Sequence, residues 1–375
     1  MTNKTFCSVL WNHQMIDTAG NVKPCCRFRM HSTQNSLHKN TLTDIFNSRF
    51  MQRLRHDAKN GIKILGCQRC YEEQDGGKKS LRERMNSHET ATDIDIDNPN
   101  ITYLELAISN NCNLMCRICS SKFSHKLHDE ELAYLGKSAS AVKHTKSNIS
   151  CAYESLPNLK YIKFTGGEPL IIKEHWELLE HAIEKDYAKN IVLNYSTNCT
   201  VWPKKKIIDI WKHFKKIELA VSLDSIIDAE NEYQRYLTDQ SKVIHNIKKY
   251  VELSTTFLNM RVIGRPTISI MNVLHAPETI EWLENNKIKT NPTHLTDPEH
   301  QSITVLPLKY KNLIKNKYDS FSYSNDKIRD NCNYILNYMF SQDNSDLLQE
   351  FKKHTAFLDS QRDQSFIKTY PYFDF

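Results

Sequence analysis

Residues 101–119 read ITYLELAISNNCNLMCRIC, an apolar, β-favouring run that ends in Cys112, Cys116 and Cys119 at C-x3-C-x2-C spacing. Three thiols on one short loop can hold three corners of a cubane [4Fe–4S] cluster. The fourth iron then lacks a protein ligand and is open to a small chelating molecule. A structural zinc site is the rival reading. Zinc takes four closed ligands, commonly in C-x2-C pairs; this loop offers three, with His125 and His128 a few residues on. Packing alone does not account for three cysteines so close together.

Working outward, residues 159–170 read LKYIKFTGGEPL, a second strand pattern that ends in Gly166, Gly167 and Glu168. Two glycines let backbone carbonyls approach a cation closely, and Glu168 adds an opposite charge. Further strand patterns fall at 191–197, 217–223, 266–271 and 302–306, and helical ones at 118–134, 174–186, 204–214 and 238–256. In the last helix Val243, Ile247, Tyr250 and Val251 follow a 3.6-residue period. Strands alternating with crossover helices predict an α/β fold with a parallel sheet. The tail from 309 reads as helical, with NYILNYMF and DLLQEF as apolar stripes.

Alternation also places polar groups on shared strand faces. In IELAVSLDS these are Ser222 and Asp224; in IVLNYSTN they are Asn194, Ser196 and Asn198. Polar rows in a buried strand cost free energy unless they meet a ligand or hydrogen-bond partners. Cys199 follows the third strand at its C-terminal end, where a thiol could donate a hydrogen atom or simply pack.

A separate cysteine group lies upstream: Cys7, then Gly20-x4-Cys25 with Cys26 beside it, then Cys67-x2-Cys70. Residues 41–58, TLTDIFNSRFMQRLRHDA, read between them as an amphipathic helix with Ile45, Phe46, Phe50, Met51 and Leu54 on its apolar side. Four thiols suit zinc as well as iron–sulfur by counting. Cys25 fits the spacing better than Cys26, though either could be the ligand from this segment. An Asp/Asn-rich stretch near residue 95 marks a boundary, giving three parts: 1–95, 96–308 and a helical extension, 309–375.

The cysteine triad after one strand and Gly-Gly-Glu after the next resemble the radical S-adenosylmethionine (SAM) superfamily. The resemblance implies a partial (β/α)6 barrel, with Cys112, Cys116 and Cys119 holding a [4Fe–4S] cluster that chelates SAM. It implies that Gly166, Gly167 and Glu168 bind the methionine amino group, and that Ser222, Asp224, Ser196 and Asn198 contact SAM. Ile118 stands where relatives usually carry an aromatic residue. The upstream C…G-x4-C…C-x2-C series resembles the SPASM and shorter twitch modules that hold auxiliary [4Fe–4S] clusters. Here that series precedes the barrel instead of following it, with Cys7, Cys25, Cys67 and Cys70 as implied ligands. The implied activity is reductive cleavage of SAM to a 5′-deoxyadenosyl radical, which takes hydrogen from a substrate. The implied partners are a flavodoxin- or ferredoxin-type electron donor and a peptide or protein side chain as substrate, with a small metabolite as the alternative. A non-enzymatic zinc-binding interaction protein is the third reading.

Bulk composition agrees with an ordinary globular chain: 375 residues, 25% charged and 39% hydrophobic. The net charge of +6 is mild and dispersed, which argues against nucleic acid. No apolar run reaches membrane-spanning length and the N-terminus has no apolar signal core. Cytoplasmic is the expected location. Eleven cysteines in such a chain point to metal or redox chemistry rather than disulfides.

Overall fold

The structure is a computed structural model and describes residues 4–30, 35–75, 79–92, 94–136, 142–146 and 148–375. It contains the strands β1 (His13–Ile16), β2 (Val22–Lys23), β3 (Tyr103–Ala107), β4 (Tyr161–Thr165), β5 (Val192–Thr197), β6 (Lys216–Val221), β7 (Met260–Gly264), β8 (Thr267–Ile268), β9 (Lys289–Thr290) and β10 (Thr293–His294). One sheet runs in the order β2-β1-β3-β4-β5-β6-β7-β9, and β8 pairs with β10 apart from it. β1 lies parallel to β3, β3 to β4, β4 to β5 and β7 to β9; β2 returns antiparallel on β1. With helices between successive strands, this is the α/β architecture expected.

The chain forms two compact units, each assembled from several stretches. The first comprises Met1–Asn110, His144–Tyr195 and Lys204–Ile217; the second comprises Asn111–Lys143, Ser196–Pro203 and Glu218–Phe375.

In the first unit the sheet has two distinct faces. Leu104, Leu106, Ile162, Phe164, Leu193 and Tyr195 are all buried on one face. Helix Lys173–Glu184 covers it by setting the His175 ring 4.5 Å from Phe164, and helix Lys205–Trp211 sets Trp211 5.5 Å from Tyr195. The opposite face is layered. Tyr103, Tyr161 and Val192 form an apolar row with Met85 against it. The next row carries Glu105, Lys163 and Asn194, aligned by the strand register. Lys163 Nζ donates to Glu105 at 2.7 Å.

The second unit has its own core, in which Ile268, Ile270, Val273, Ile303 and Val305 pack with residues of helices Leu308–Ser320, Asp326–Met339 and Leu348–Arg362.

Three expectations change. Residues 303–305 form a 3-10 turn, capped by Ser302 at Thr304 N, instead of a strand; Ile303 and Val305 are apolar because they enter the second core. The strand expected at 266–271 shrinks to β8, because Ser269 N donates to Asn272 Oδ1 and Met271 N to Ser269 Oγ, turning the chain after Ile268; the main-sheet strand is MRVIG at 260–264. β1 was expected to belong to a separate module but instead adds to the sheet edge beside β3.

Candidate functional site

The triad loop lies in the second unit and its backbone is pinned there. Met115 N donates to Tyr236 O at 3.0 Å, Arg117 N to Gln234 O at 2.8 Å, and Cys119 N to Cys116 O at 3.1 Å. The Arg117 side chain holds the loop from beneath, with Nε donating to Tyr233 O and Nη2 to Asp359 and Gln364. A cavity of about 570 Å³ opens against Cys116 and Cys119, walled in part by Tyr134, His354 and Arg362. Burial pushes the Cys119 thiol well up, and its neighbours Cys116 and Cys112 push it further. The Cys116 thiol is raised by burial and opposed by Arg235. Crowded thiols such as Cys116 and Cys119, with pKa values raised by burial, become thiolates together only when cations neutralise them, which is what cluster iron does.

Arg235 is a residue that sequence reasoning missed. Its Nη1 lies 4.0 Å from Cys116 Sγ and its Nη2 2.7 Å from Asp224 Oδ2. No spacing rule links it to the triad; only the fold brings segment 234–236 alongside the loop.

β6 ends at Val221, so the alternation argument stops short of Ser222 and Asp224. Asp224 is fully buried, and its carboxylate accepts from Thr267 N, Gln234 Nε2 and Arg235. Those three donors make it an interior organiser of this segment. Ser222 stays half-buried, its N–H bonded to Thr197 O. Ser196 is half-buried at the end of β5. Asn198 Nδ2 donates to Asn113 Oδ1 at 2.9 Å and lies 4.0 Å from Cys112 Sγ. It therefore supports the triad loop directly.

The Cys199 thiol is wholly buried and directed at Thr197 O, while Asn246 bonds the residue's carbonyl. This burial favours the packed reading of Cys199 over the hydrogen-atom donor.

The glycine loop belongs to the first unit. Gly166 has φ +101°, and a Cβ there would lie 2.9 Å from Ser109 O and 3.2 Å from Ala107 Cα. Only glycine fits both the dihedral and the space. Gly167 N donates to Ser109 O at 2.9 Å, fixing the loop to the chain three residues before Cys112. Glu168 is buried, and its Oε1 accepts from Leu170 N at 3.1 Å.

Behind this loop is a second missed residue. His175 Nδ1 donates to Pro169 O at 3.0 Å. Its Nε2 must then accept, and Tyr195 O–H donates to it at 2.8 Å while accepting from Trp211 Nε1 at 3.2 Å. His175 shares the buried stripe of its helix with Leu178, Leu179 and Ala182; a histidine on that stripe was the available signal.

The upstream cysteines are gathered in the first unit. Cys7, Cys25, Cys67 and Cys70 line one cavity with Arg27, Phe28 and Arg82. Burial first, and then the neighbouring thiols, push Cys7 and Cys67 up to about 12. Cys26 does not line that cavity; beyond burial, its charged neighbours are Glu105, Lys163 and Arg27. The fold thus favours Cys25 over Cys26 as the fourth member. Gly66 opens the site, because a Cβ there would lie 2.5 Å from the Phe28 ring. Among the described residues no group of three or more Cys, His, Asp or Glu is gathered as around a metal ion; the thiols share cavities instead. Among the described residues no helix is long and apolar enough to cross a membrane.

Residues 106–285 match the radical SAM superfamily, and residues 7–71 match SPASM, an iron–sulfur cluster-binding domain. A probable GTP 3′,8-cyclase of Methanocaldococcus jannaschii is 24% identical over 247 residues, 64% of this chain and 71% of that protein. A GTP 3′,8-cyclase of Clostridium botulinum is 28% identical over 158 residues, 41% of this chain and 44% of that protein. Among solved structures, Streptococcus suis SuiB bound to precursor peptide SuiA aligns with a TM-score of 0.40 at 14% identity, covering 77% of this chain and 53% of that one. The enzyme anSMEcpe with bound AdoMet aligns at 0.42 and 18% identity, covering 59% and 58%. The chain thus spans little more than half of these structures and less than half of the clostridial relative. The radical SAM match carries the SAM-binding [4Fe–4S] cluster with it, the SPASM match an auxiliary iron–sulfur site, and the cysteine cavities supply thiols for both. The chain carries a radical SAM domain over residues 106–285, preceded by a SPASM iron–sulfur cluster-binding domain over residues 7–71.

Proposed function

We propose that this enzyme abstracts hydrogen from a peptide or protein side chain. The observation that carries the radical chemistry is the three-thiol loop after β3, together with a glycine loop after β4 that only Gly166 can form. When bound, the cluster and SAM supply reductive cleavage to methionine and a 5′-deoxyadenosyl radical. In this reading Cys112, Cys116 and Cys119 hold the cluster. Gly166, Gly167 and Glu168 receive the methionine ammonium, Ser196, Asn198 and Ser222 contact SAM, and Arg235 lends positive charge beside Cys116. His175 keeps the glycine loop in place through Pro169.

The peptide preference rests on the auxiliary cluster module, which accompanies peptide-modifying members of the superfamily. A flavodoxin- or ferredoxin-type donor and a cytoplasmic location belong to the same proposal. A nucleotide or other small metabolite is the second reading, favoured by the names of the curated relatives. Reduced, anaerobically reconstituted protein separates the two. Deoxyadenosine would be measured with SAM alone, with GTP, and with a randomised peptide pool read by mass. The peptide reading expects extra deoxyadenosine with the peptide pool and none with GTP. Conversion of GTP, with the pool untouched, would replace it with the second reading.

A further inference from the structure

We propose that Arg82, on helix Leu81–Asn86 beyond the SPASM-matched stretch, is the counter-charge and hydrogen-bond donor of the auxiliary cluster. The inference rests on the reading that Cys7, Cys25, Cys67 and Cys70 hold that cluster.

The helix is built to hold this position. Ser80 and Glu83 form a capping box at its start. Asn86 Nδ2 donates to Phe6 O at 3.0 Å, and Asn86 Oδ1 accepts from Ser8 N at 2.8 Å. The backbone on either side of Cys7 is therefore clamped by one helix. Arg82 Nη1 donates to the same Phe6 O at 2.8 Å, which brings the guanidinium to the wall of the four-cysteine cavity.

What Arg82 leaves unused identifies its ligand. Its side chain is buried, and its Nε has no hydrogen-bond partner. A buried charged donor without an acceptor is costly. The other two cations on this wall, Arg27 and Arg69, both pair with Glu73. Arg82 forms no salt bridge among the described residues; the carboxylate that feels its charge is Glu83, at the helix surface. A four-thiolate cluster is an anion whose sulfurs accept hydrogen bonds, and its potential follows net charge and those bonds. A buried guanidinium with a spare Nε–H on the cavity wall matches both needs. Arg82 already opposes the upward push of burial on Cys7 and Cys67.

The test is a redox titration of the holoenzyme, following the cluster signal that does not respond to SAM. Arg82→Gln removes the positive charge, which disfavours the more negative, reduced state. At fixed potential the reduced-to-oxidised ratio should fall about tenfold, equivalent to 59 mV for a one-electron couple. Arg82→Lys keeps the charge and should recover most of that fall, with iron content unchanged. Loss of the auxiliary iron in the glutamine variant but not the lysine one would also support the charge role. A wild-type potential in Arg82→Gln would overturn it, as would equal loss of iron from both variants, which would mark a packing role. A wild-type protein carrying zinc in place of the SAM-insensitive iron would instead sink the underlying reading.

Discussion

Gly166 shows how much one residue can decide. Its φ of +101° and the 2.9 Å approach to Ser109 O exclude any side chain, and the obstructing atom is backbone that cannot rotate away. Gly166→Ala is expected to cost about 1–3 kcal/mol and to weaken SAM binding together with stability, read from urea midpoints and SAM titration. Glu168→Gln tests a different property at the neighbouring position. Glutamine can still accept from Leu170 N, so the fold and iron content should hold while the charge is lost. SAM affinity should fall by about one to two decades, from a charge-assisted hydrogen bond worth roughly 1.5–3 kcal/mol. Unchanged affinity would reduce the motif to a turn after a strand. The glycine pair and the triad could be read from sequence because their chemistry is local. Asp224 and Cys199 could not, because their roles depend on Arg235, Gln234 and Asn246, partners that lie far along the chain or fall outside any spacing rule.

At the level of elements, β3, β4 and β5 were legible from alternation, and helix Gln240–Thr256 from its period. β7 was not: MRVIG is short, and Arg261 interrupts its apolar character. Residues 303–305 were apolar enough to read as a strand, but their burial comes from the C-terminal helices. The relay from Trp211 through Tyr195 to His175 ties two helices and β5 to the glycine loop, and it makes a pH prediction. Burial lowers the His175 pKa from 6.5 to about 3. The unfolded chain takes up a proton as pH falls through 6.5, while the folded chain does not until about 3. This histidine's contribution is therefore complete above pH 6.5 and is lost as pH falls between those values, by up to about 1.4 kcal/mol per unit. His175→Asn keeps a donor for Pro169 O but cannot titrate. Its urea midpoint should fall less between pH 7 and pH 5 than that of the wild type; parallel losses would refute the assignment.

At the scale of the whole molecule, the two cysteine sets belong to different compact units, with Cys7, Cys25, Cys67 and Cys70 in one and Cys112, Cys116 and Cys119 in the other. Their metal contents should therefore be separable by mutation. Cys116→Ala leaves two thiols on the triad loop, too few to hold a cubane with one open iron, so about four irons and all SAM cleavage should go. Cys67→Ala with Cys70→Ala removes half of the upstream set and should also cost about four irons, but none of the triad's ligands. Reduced double-variant protein should still form deoxyadenosine from SAM in the absence of substrate, while product formation is lost. Iron assay, the SAM-responsive spin signal and deoxyadenosine yield, taken on both variants, give the crossed pattern that two independent sites require. If the double variant keeps its iron and loses zinc, the upstream module is a structural zinc site. If either variant empties both sites, the two cysteine sets are coupled through the fold, and their assignment to separate units fails.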